Sequence, residues 1–107
     1  MIEVDDKRSL EQQLKENKRV LVLFYASWCP FCRSFLSVFD RHAAKKGGNL
    51  AIRVKVDDYD NPLWDEYRIE AVPTVILFED GEVCIRLDGR LGLGLNEKQF
   101  TEWLERT

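Results

Sequence analysis

The sequence predicts an α/β fold in which a central mixed β-sheet is flanked by helices on both faces, with the element order β-α-β-α-β-α-β-β-α. Residues 20–26 are apolar at every position, which is typical of a central strand that helices cover on both faces. Helical and β-type segments alternate along the chain. Asp80-Gly81 separates two β-type segments as the turn of a tight antiparallel hairpin.

Length and composition limit the possible functions. The chain has 107 residues, of which 45% are hydrophobic, so we expect one domain spanning residues 1–107. Its net charge of −3 argues against nucleic acid or an anionic membrane as a partner. The longest apolar run, residues 20–26, is far shorter than the roughly 20 residues that cross a bilayer. The N-terminus lacks the pattern of an export signal, so we expect a cytoplasmic protein.

The first half of the chain predicts two strands and two helices. Residues 2–4 fit a short first strand, and Ser9 is expected to open the first helix as a capping box, with the helix ending near Asn17. Its buried face would carry Leu10 and Leu14. After the apolar strand, a helix of about four turns is expected to end at Gly47-Gly48. Apolar residues recur along it at helical spacing: Phe31, Phe35, Leu36 and Phe39.

The second half predicts a strand, a short helix, a hairpin and a terminal helix. In the third strand, the apolar residues Ile52, Val54 and Val56 alternate with the charged residues Arg53 and Lys55. Asn61-Pro62 is expected to cap a short helix with the proline at its first position. The hairpin strands are residues 74–78 and 83–87, and a last helix is expected from about Glu97, capped by Asn96. Its inner face would carry Phe100, Trp103 and Leu104.

The pattern Cys29-Pro30-Phe31-Cys32 joins the buried strand to the start of the long helix. Unpaired N–H groups at a helix N-terminus favour a thiolate on Cys29, and the thiolate is the attacking species in thiol chemistry. Cys32 lies about one turn later, where it can resolve a mixed disulfide, and we expect it to be the more buried cysteine. Pro30 favours the first helical turn, and Trp28 offers an apolar surface beside the sulfur.

Two other interpretations of the cysteine pair are open from its spacing alone: two buried structural cysteines, or two ligands of a metal site. The position of the pair between a buried strand and a helix favours redox chemistry. A zinc site needs about four ligands, and apart from carboxylates only Cys84 and His42 remain to supply them. We therefore expect no metal.

The cysteine pair is accompanied by Phe24-Tyr25-Ala26-Ser27-Trp28 before it, by Val72-Pro73-Thr74, and by Phe78-Glu79-Asp80-Gly81-Glu82. This combination resembles the thioredoxin family along nearly the whole chain. The resemblance implies the thioredoxin fold and a protein-disulfide reductase, in which Cys29 attacks a disulfide of a protein substrate. Cys32 would then release the reduced product, leaving a Cys29–Cys32 disulfide. We expect a monomer without a bound cofactor, with an upstream reductase of the thioredoxin reductase type as its partner.

The resemblance also implies a substrate-binding surface. In the family, the proline that matches Pro73 follows a cis peptide bond and lies against the cysteines, and the preceding residue, here Val72, presents backbone groups to an extended substrate. Trp28 and Thr74 would belong to the same surface, and Phe31, like Pro30, would support the active site. An X-Pro bond is cis only about 5–6% of the time, so this expectation rests on the resemblance.

The chain departs from the family pattern at two places that matter for chemistry. Thioredoxins usually carry a buried aspartate six residues before the nucleophile, as proton acceptor for the second cysteine, and Leu23 stands there. Without it, Cys32 must lose its proton to water or another group, so we expect a different pH dependence. Pro30-Phe31 replaces the usual Gly-Pro and is closer to the Pro-Tyr of glutaredoxins, although no Gly-Gly-x-Asp-like glutathione site follows.

Three alternative functions therefore stay open beside disulfide reduction. The same cysteine pair could perform glutaredoxin-like exchange, or it could act as a thiol oxidant or isomerase. A third alternative is a binding module that uses the Val72-Pro73 groove without exchange. A measured reduction potential separates reductants from oxidants, because thioredoxin lies near −270 mV and strong oxidants near −120 mV.

Other residues with potential chemistry are interpreted as structural. Cys84 is expected to be an inert and partly exposed thiol, and His42 a solvated helix residue. Residues 57–60, which contain three aspartates, are expected to form a solvated turn. Trp64 and Trp103 are expected to lie in the core.

Overall fold

Five strands form a mixed sheet in the computed structural model, which describes residues 1–45 and 49–107. The strands are β1 Ile2–Val4, β2 Arg19–Tyr25, β3 Leu50–Lys55, β4 Thr74–Glu79 and β5 Glu82–Asp88. Their spatial order is β1-β3-β2-β4-β5. β1 and β2 run parallel to β3, whereas β4 is antiparallel to β2 and β5 is antiparallel to β4. The predicted mixed sheet is confirmed.

The central strand β2 carries the chain to the cysteine pair. Its residues from Val20 to Tyr25 are at most 5% exposed, although successive side chains of a strand point to opposite faces. Val22 lies opposite Ile52 of β3 and Ile76 of β4. Both faces of β2 are therefore covered, as the continuous apolar run predicts.

Four helices lie in the part of the chain that the structure describes: α1 Lys7–Glu16, α2 Pro30–Lys45, α3 Leu63–Glu66 and α4 Glu97–Leu104. The predicted cap of α1 is wrong, because Asp6 is the N-cap and its carboxylate accepts the N–H of Ser9 at 2.7 Å. A carboxylate at this position also interacts favourably with the positive end of the helix dipole. None of these helices is long and apolar enough to cross a membrane.

The other helix ends agree more closely with the sequence pattern. Pro62 is the N-cap of α3, one residue before the position predicted for it, and the Asn61 side chain accepts the N–H of Leu63. At α4, Asn96 and Gln99 form a reciprocal capping box with two 2.9 Å hydrogen bonds. The predicted end of α2 at Gly47-Gly48 lies outside the described residues.

The hairpin between β4 and β5 turns at Asp80-Gly81, where both residues have positive φ, as a tight two-residue turn requires. The register between the strands shifts next to Phe78, and Val83 pairs with Phe78 while Ile85 pairs with Leu77. Cys84 is exposed, as predicted. The strict alternation predicted for β5 fails at Val83, which is 44% exposed, because the shift interrupts the pattern of the ladder.

Candidate active site

Cys29 lies between the end of β2 and Pro30, the first residue of α2. Its Sγ accepts a hydrogen bond from the N–H of Cys32 at 3.3 Å, and its carbonyl accepts the N–H of Arg33 at 3.1 Å. Cys29 thus has the hydrogen-bond pattern of a helix N-cap, with its sulfur at the positive end of α2. Both cysteines are free thiols, and Cys32 is the more buried, as predicted.

The Val72-Pro73 turn forms the opposite side of the site, and its peptide bond is cis, as the resemblance implies. The Sγ of Cys29 lies 3.6 Å from the carbonyl oxygen of Val72, to which the thiol donates. Gly89 packs directly on this turn, because a Cβ at Gly89 would lie 2.1 Å from the carbonyl oxygen of Pro73. Thr74 is fully buried, and its hydroxyl donates to the carbonyl of Ala71 at 2.7 Å. These contacts hold the Val72 carbonyl beside the sulfur.

Cys32 lies in an apolar environment that disfavours its thiolate. The side chain is fully buried, and this burial is the main reason that the pKa of its thiol is raised to about 12. Leu23, where the family pattern has a carboxylate, is fully buried as well. Cys32 therefore keeps its proton at neutral pH in the dithiol form.

We expect this burial to make the folding stability depend on pH in alkaline solution. The Cys32 thiol ionises near pH 9 in the unfolded chain and near pH 12 in the folded one. The stability that the protonated, buried thiol contributes is therefore complete below pH 9 and is lost as the pH rises toward 12. Between pH 8 and pH 10, the stability difference between the wild type and Cys32→Ala should shrink by about 1 kcal/mol, measured by urea unfolding. Cys84→Ala, a change at an exposed thiol, is the control, and its stability difference from the wild type should stay constant. A constant difference for Cys32→Ala would contradict the prediction.

Asp57 is hydrogen-bonded to the loop that precedes Cys29, and no sequence pattern indicates this contact. Its carboxylate accepts the backbone N–H of Ser27 at 2.7 Å and the Ser27 hydroxyl at 2.5 Å. Partial burial acts to raise the pKa of Asp57, but these two hydrogen bonds outweigh it and lower the pKa. The carbonyl of Asp57 also accepts the indole N–H of Trp28 at 2.9 Å. The predicted solvated turn is confirmed for residues 58–60, which are exposed, whereas Asp57 is half-buried and hydrogen-bonded to the loop before Cys29.

Three aromatic rings extend the site away from the cysteines. Trp28 lies against Tyr59 with ring centroids 5.4 Å apart, and Tyr59 stacks on Trp64 at 5.1 Å. Trp64 packs against the core, as predicted, but it is only half-buried, and its indole N–H donates to the carbonyl of Asp58. Pro30 and Phe31 lie on the same cavity, so the predicted residues Trp28, Pro30, Phe31 and Val72 come together around Cys29.

The remaining candidates lie away from this site or in the core. His42 lies on α2 and is partly exposed, as predicted, but its Nε2 also lies 2.7 Å from a carboxylate oxygen of Glu97, so the residue links α2 to α4. Trp103 is 4% exposed and belongs to the core, as predicted. Within residues 1–45 and 49–107, no group of three or more His, Cys, Asp or Glu side chains could hold a metal ion.

Comparison with known proteins identifies the family. A sequence model described as Thioredoxin matches residues 1–105. The chain is 38% identical over 92 residues to a thioredoxin of Mycoplasmoides gallisepticum, covering 86% of this chain and 88% of the relative. It is 35% identical over 92 residues to a bifunctional thioredoxin reductase/thioredoxin of Mycobacterium leprae, covering 85% of this chain but only 20% of that longer protein.

The structural comparison leads to the same family. The X-ray structure of Fasciola hepatica thioredoxin superposes with a TM-score of 0.82 and 28% sequence identity, covering 99% of this chain and 98% of that one. The predicted thioredoxin fold is therefore confirmed, with the paired cysteines at the end of its central strand. The chain belongs to the thioredoxin family and is a thiol-disulfide oxidoreductase that reduces protein disulfides.

Proposed function

We propose that Cys29 is the nucleophile of this reductase and that Cys32 is the resolving thiol. One observation carries the assignment: the Cys29 sulfur caps α2 and lines a surface cavity, whereas Cys32 is fully buried behind it. A substrate disulfide can therefore approach Cys29 alone. The N–H of Cys32 already donates to the Cys29 sulfur, which favours negative charge there.

The reaction consists of two thiol-disulfide exchanges. The Cys29 thiolate attacks one substrate sulfur, the substrate S–S bond breaks, and a first substrate thiolate leaves. Cys32 then loses its proton and attacks the Cys29 sulfur, which releases the second substrate thiolate and forms the Cys29–Cys32 disulfide. The substrate gains two electrons and two protons. An external dithiol must return two electrons to the protein before the next turnover.

The substrate-binding surface is proposed to consist of Trp28, Val72 and Pro73, with Pro30 and Phe31 supporting the reactive loop. The Val72 carbonyl lies beside the sulfur, where it can accept a backbone N–H of an extended substrate. Thr74 has no exposed surface, so its proposed part is to hold the turn through its hydrogen bond to Ala71.

The partners in this proposal are proteins that contain a reducible disulfide and an upstream reductase. The fused reductase and thioredoxin of Mycobacterium leprae supports a thioredoxin reductase-like enzyme as electron donor. We further propose that residues 1–107 act as one domain in the cytoplasm, since a reducing compartment keeps such a dithiol in its active form.

Reduction of insulin disulfides tests the function directly. With dithiothreitol as the electron donor, we expect the protein to reduce insulin faster than dithiothreitol does alone. Equal rates would contradict the proposal. The reduction potential tests the direction, and we expect a value closer to about −270 mV than to the roughly −120 mV of strong oxidants.

A further inference from the structure

We infer that this site selects substrates in which an aromatic side chain lies next to the reactive cysteine and is flanked by a basic residue. The inference rests on the proposed function, because the substrate must first present its sulfur to Cys29. It concerns the surface cavity beside Cys29, whose aromatic walls take no part in the exchange of electrons.

The cavity is continuous with the reactive sulfur. Its volume is about 230 Å³, and Cys29 and Val72 line it together with the aromatic rings of Trp28, Tyr59 and Trp64. This volume suits one bulky side chain and excludes a helix or strand. A polypeptide whose cysteine meets Cys29 therefore brings a side chain one or two positions away into the cavity.

The aromatic rings offer faces that this chain leaves uncovered. Tyr59 is 70% exposed and Trp28 is 46% exposed, although the two rings contact each other. Large apolar surfaces that remain in water favour an apolar occupant. An aromatic side chain of the substrate would bind more tightly than an aliphatic one, because offset and edge-to-face aromatic pairs are stabilised beyond the effect of the area that they bury.

The opposite wall is built from α2 and from the loop after β5. Phe31 is 41% exposed and Leu91 is 89% exposed, and both line the cavity. A Cβ at Gly94 would lie 2.6 Å from the Cβ of Phe31, so the loop packs closely on this residue. Phe31 is therefore supported from behind, and an entering side chain is enclosed by apolar groups on two sides.

The charge around the cavity favours a basic neighbour for the aromatic side chain. Among the described residues that line the cavity, Glu70 is the only charged one, and it is exposed. No ion pair of Glu70 occurs among the described residues. Asp58 and Asp60, on either side of Tyr59, are also exposed, and these three carboxylates outnumber the exposed Arg90 beside Leu91. A lysine or arginine beside the aromatic residue would meet this charge, whereas a glutamate would be repelled.

Three symmetric peptide disulfides test the inference. Each consists of two identical peptides joined through cysteine: Lys-Phe-Cys-Phe-Lys, Lys-Ala-Cys-Ala-Lys, and Glu-Phe-Cys-Phe-Glu. Pre-reduced protein is mixed with each, and the second-order rate of peptide thiol release is measured by chromatography. We expect the first to react about fivefold faster than the alanine peptide and about threefold faster than the glutamate peptide.

Two variants locate the preferences. Tyr59→Ala should bring the rates of the phenylalanine and alanine peptides, both with lysine ends, to within about twofold of each other. Glu70→Gln should do the same for the two phenylalanine peptides that end in lysine and in glutamate. Val83→Ala and Glu82→Gln change an exposed apolar residue and an exposed glutamate on β5, and both should keep the two ratios. Circular dichroism checks that all four variants are folded.

The outcomes separate this inference from the proposed function. If the wild type reduces all three peptides at equal rates, the selectivity is absent and only the inference is overturned. If Tyr59→Ala keeps the aromatic preference, the cavity is not its source, and the inference is overturned as well. If the wild type reduces neither the peptides nor insulin, the proposed function fails.

Discussion

Cys29→Ser is expected to lower the rate of protein-disulfide reduction by at least about 10³-fold, because it removes the only thiol that a substrate can approach at this site. A serine hydroxyl does not ionise near neutral pH and needs a base to activate it. Among the described residues, the Cys29 side chain hydrogen-bonds only to the backbone of Val72 and Cys32, neither of which is such a base. Cys32 cannot substitute for Cys29, since it is fully buried and the pKa of its thiol is raised to about 12. The insulin assay with dithiothreitol measures the loss.

Cys32→Ser is the matched variant that separates the two exchange steps. It keeps the first attack but cannot resolve the mixed disulfide, so we expect protein and substrate to accumulate as a one-to-one covalent adduct. Mass spectrometry of the non-reduced adduct identifies the attached sulfur, and in cells the same variant identifies the substrates. Cys84→Ser controls for the exposed third thiol and should react like the wild type. If Cys29→Ser forms the adduct and Cys32→Ser does not, the roles of the two cysteines are reversed.

The arrangement around Cys29 could be predicted because its signals are local. An apolar strand, a proline at the first helical position and a cysteine spacing of one turn lie within a dozen or so residues, and together they place the sulfur at a helix N-terminus. The same holds for the capping box at Asn96 and for the Asp80-Gly81 turn. The cis bond before Pro73 was expected only from the family resemblance, since a proline in sequence does not reveal the isomer.

The missed features depend on contacts between distant segments. Asp57 binds Ser27 across 30 residues, and His42 pairs with Glu97 across 55. An aspartate in a polar segment and a single histidine on a helix carry no signal of such partners. The Tyr59 and Trp64 stack was missed for the same reason, because an aromatic residue in a sequence fits the core as well as a surface cavity.

Leu23→Asp is expected to lower the stability by about 3–5 kcal/mol at pH 7, which is the largest effect on folding that we expect from one substitution. Leu23 is fully buried in β2 between Arg53 of β3 and Val75 of β4, so the change removes core packing and buries a carboxyl group. Although this position holds an aspartate in the family pattern, the core of this chain has been built around a leucine. Urea unfolding at constant temperature measures the loss.

The pH dependence of that loss identifies its cause. Burial raises the pKa of the new carboxyl above the value of about 3.9 that it has in the unfolded chain. The folded state then keeps a proton that the unfolded state has released, so the stability of the variant should fall by about 1–3 kcal/mol between about pH 5 and pH 8. Leu23→Asn, which has the same size but cannot ionise, should be destabilised by an amount that does not change over this range. If the two variants show the same pH dependence, the new carboxyl is in contact with water. It could then accept the proton of Cys32, which the buried Leu23 side chain cannot do.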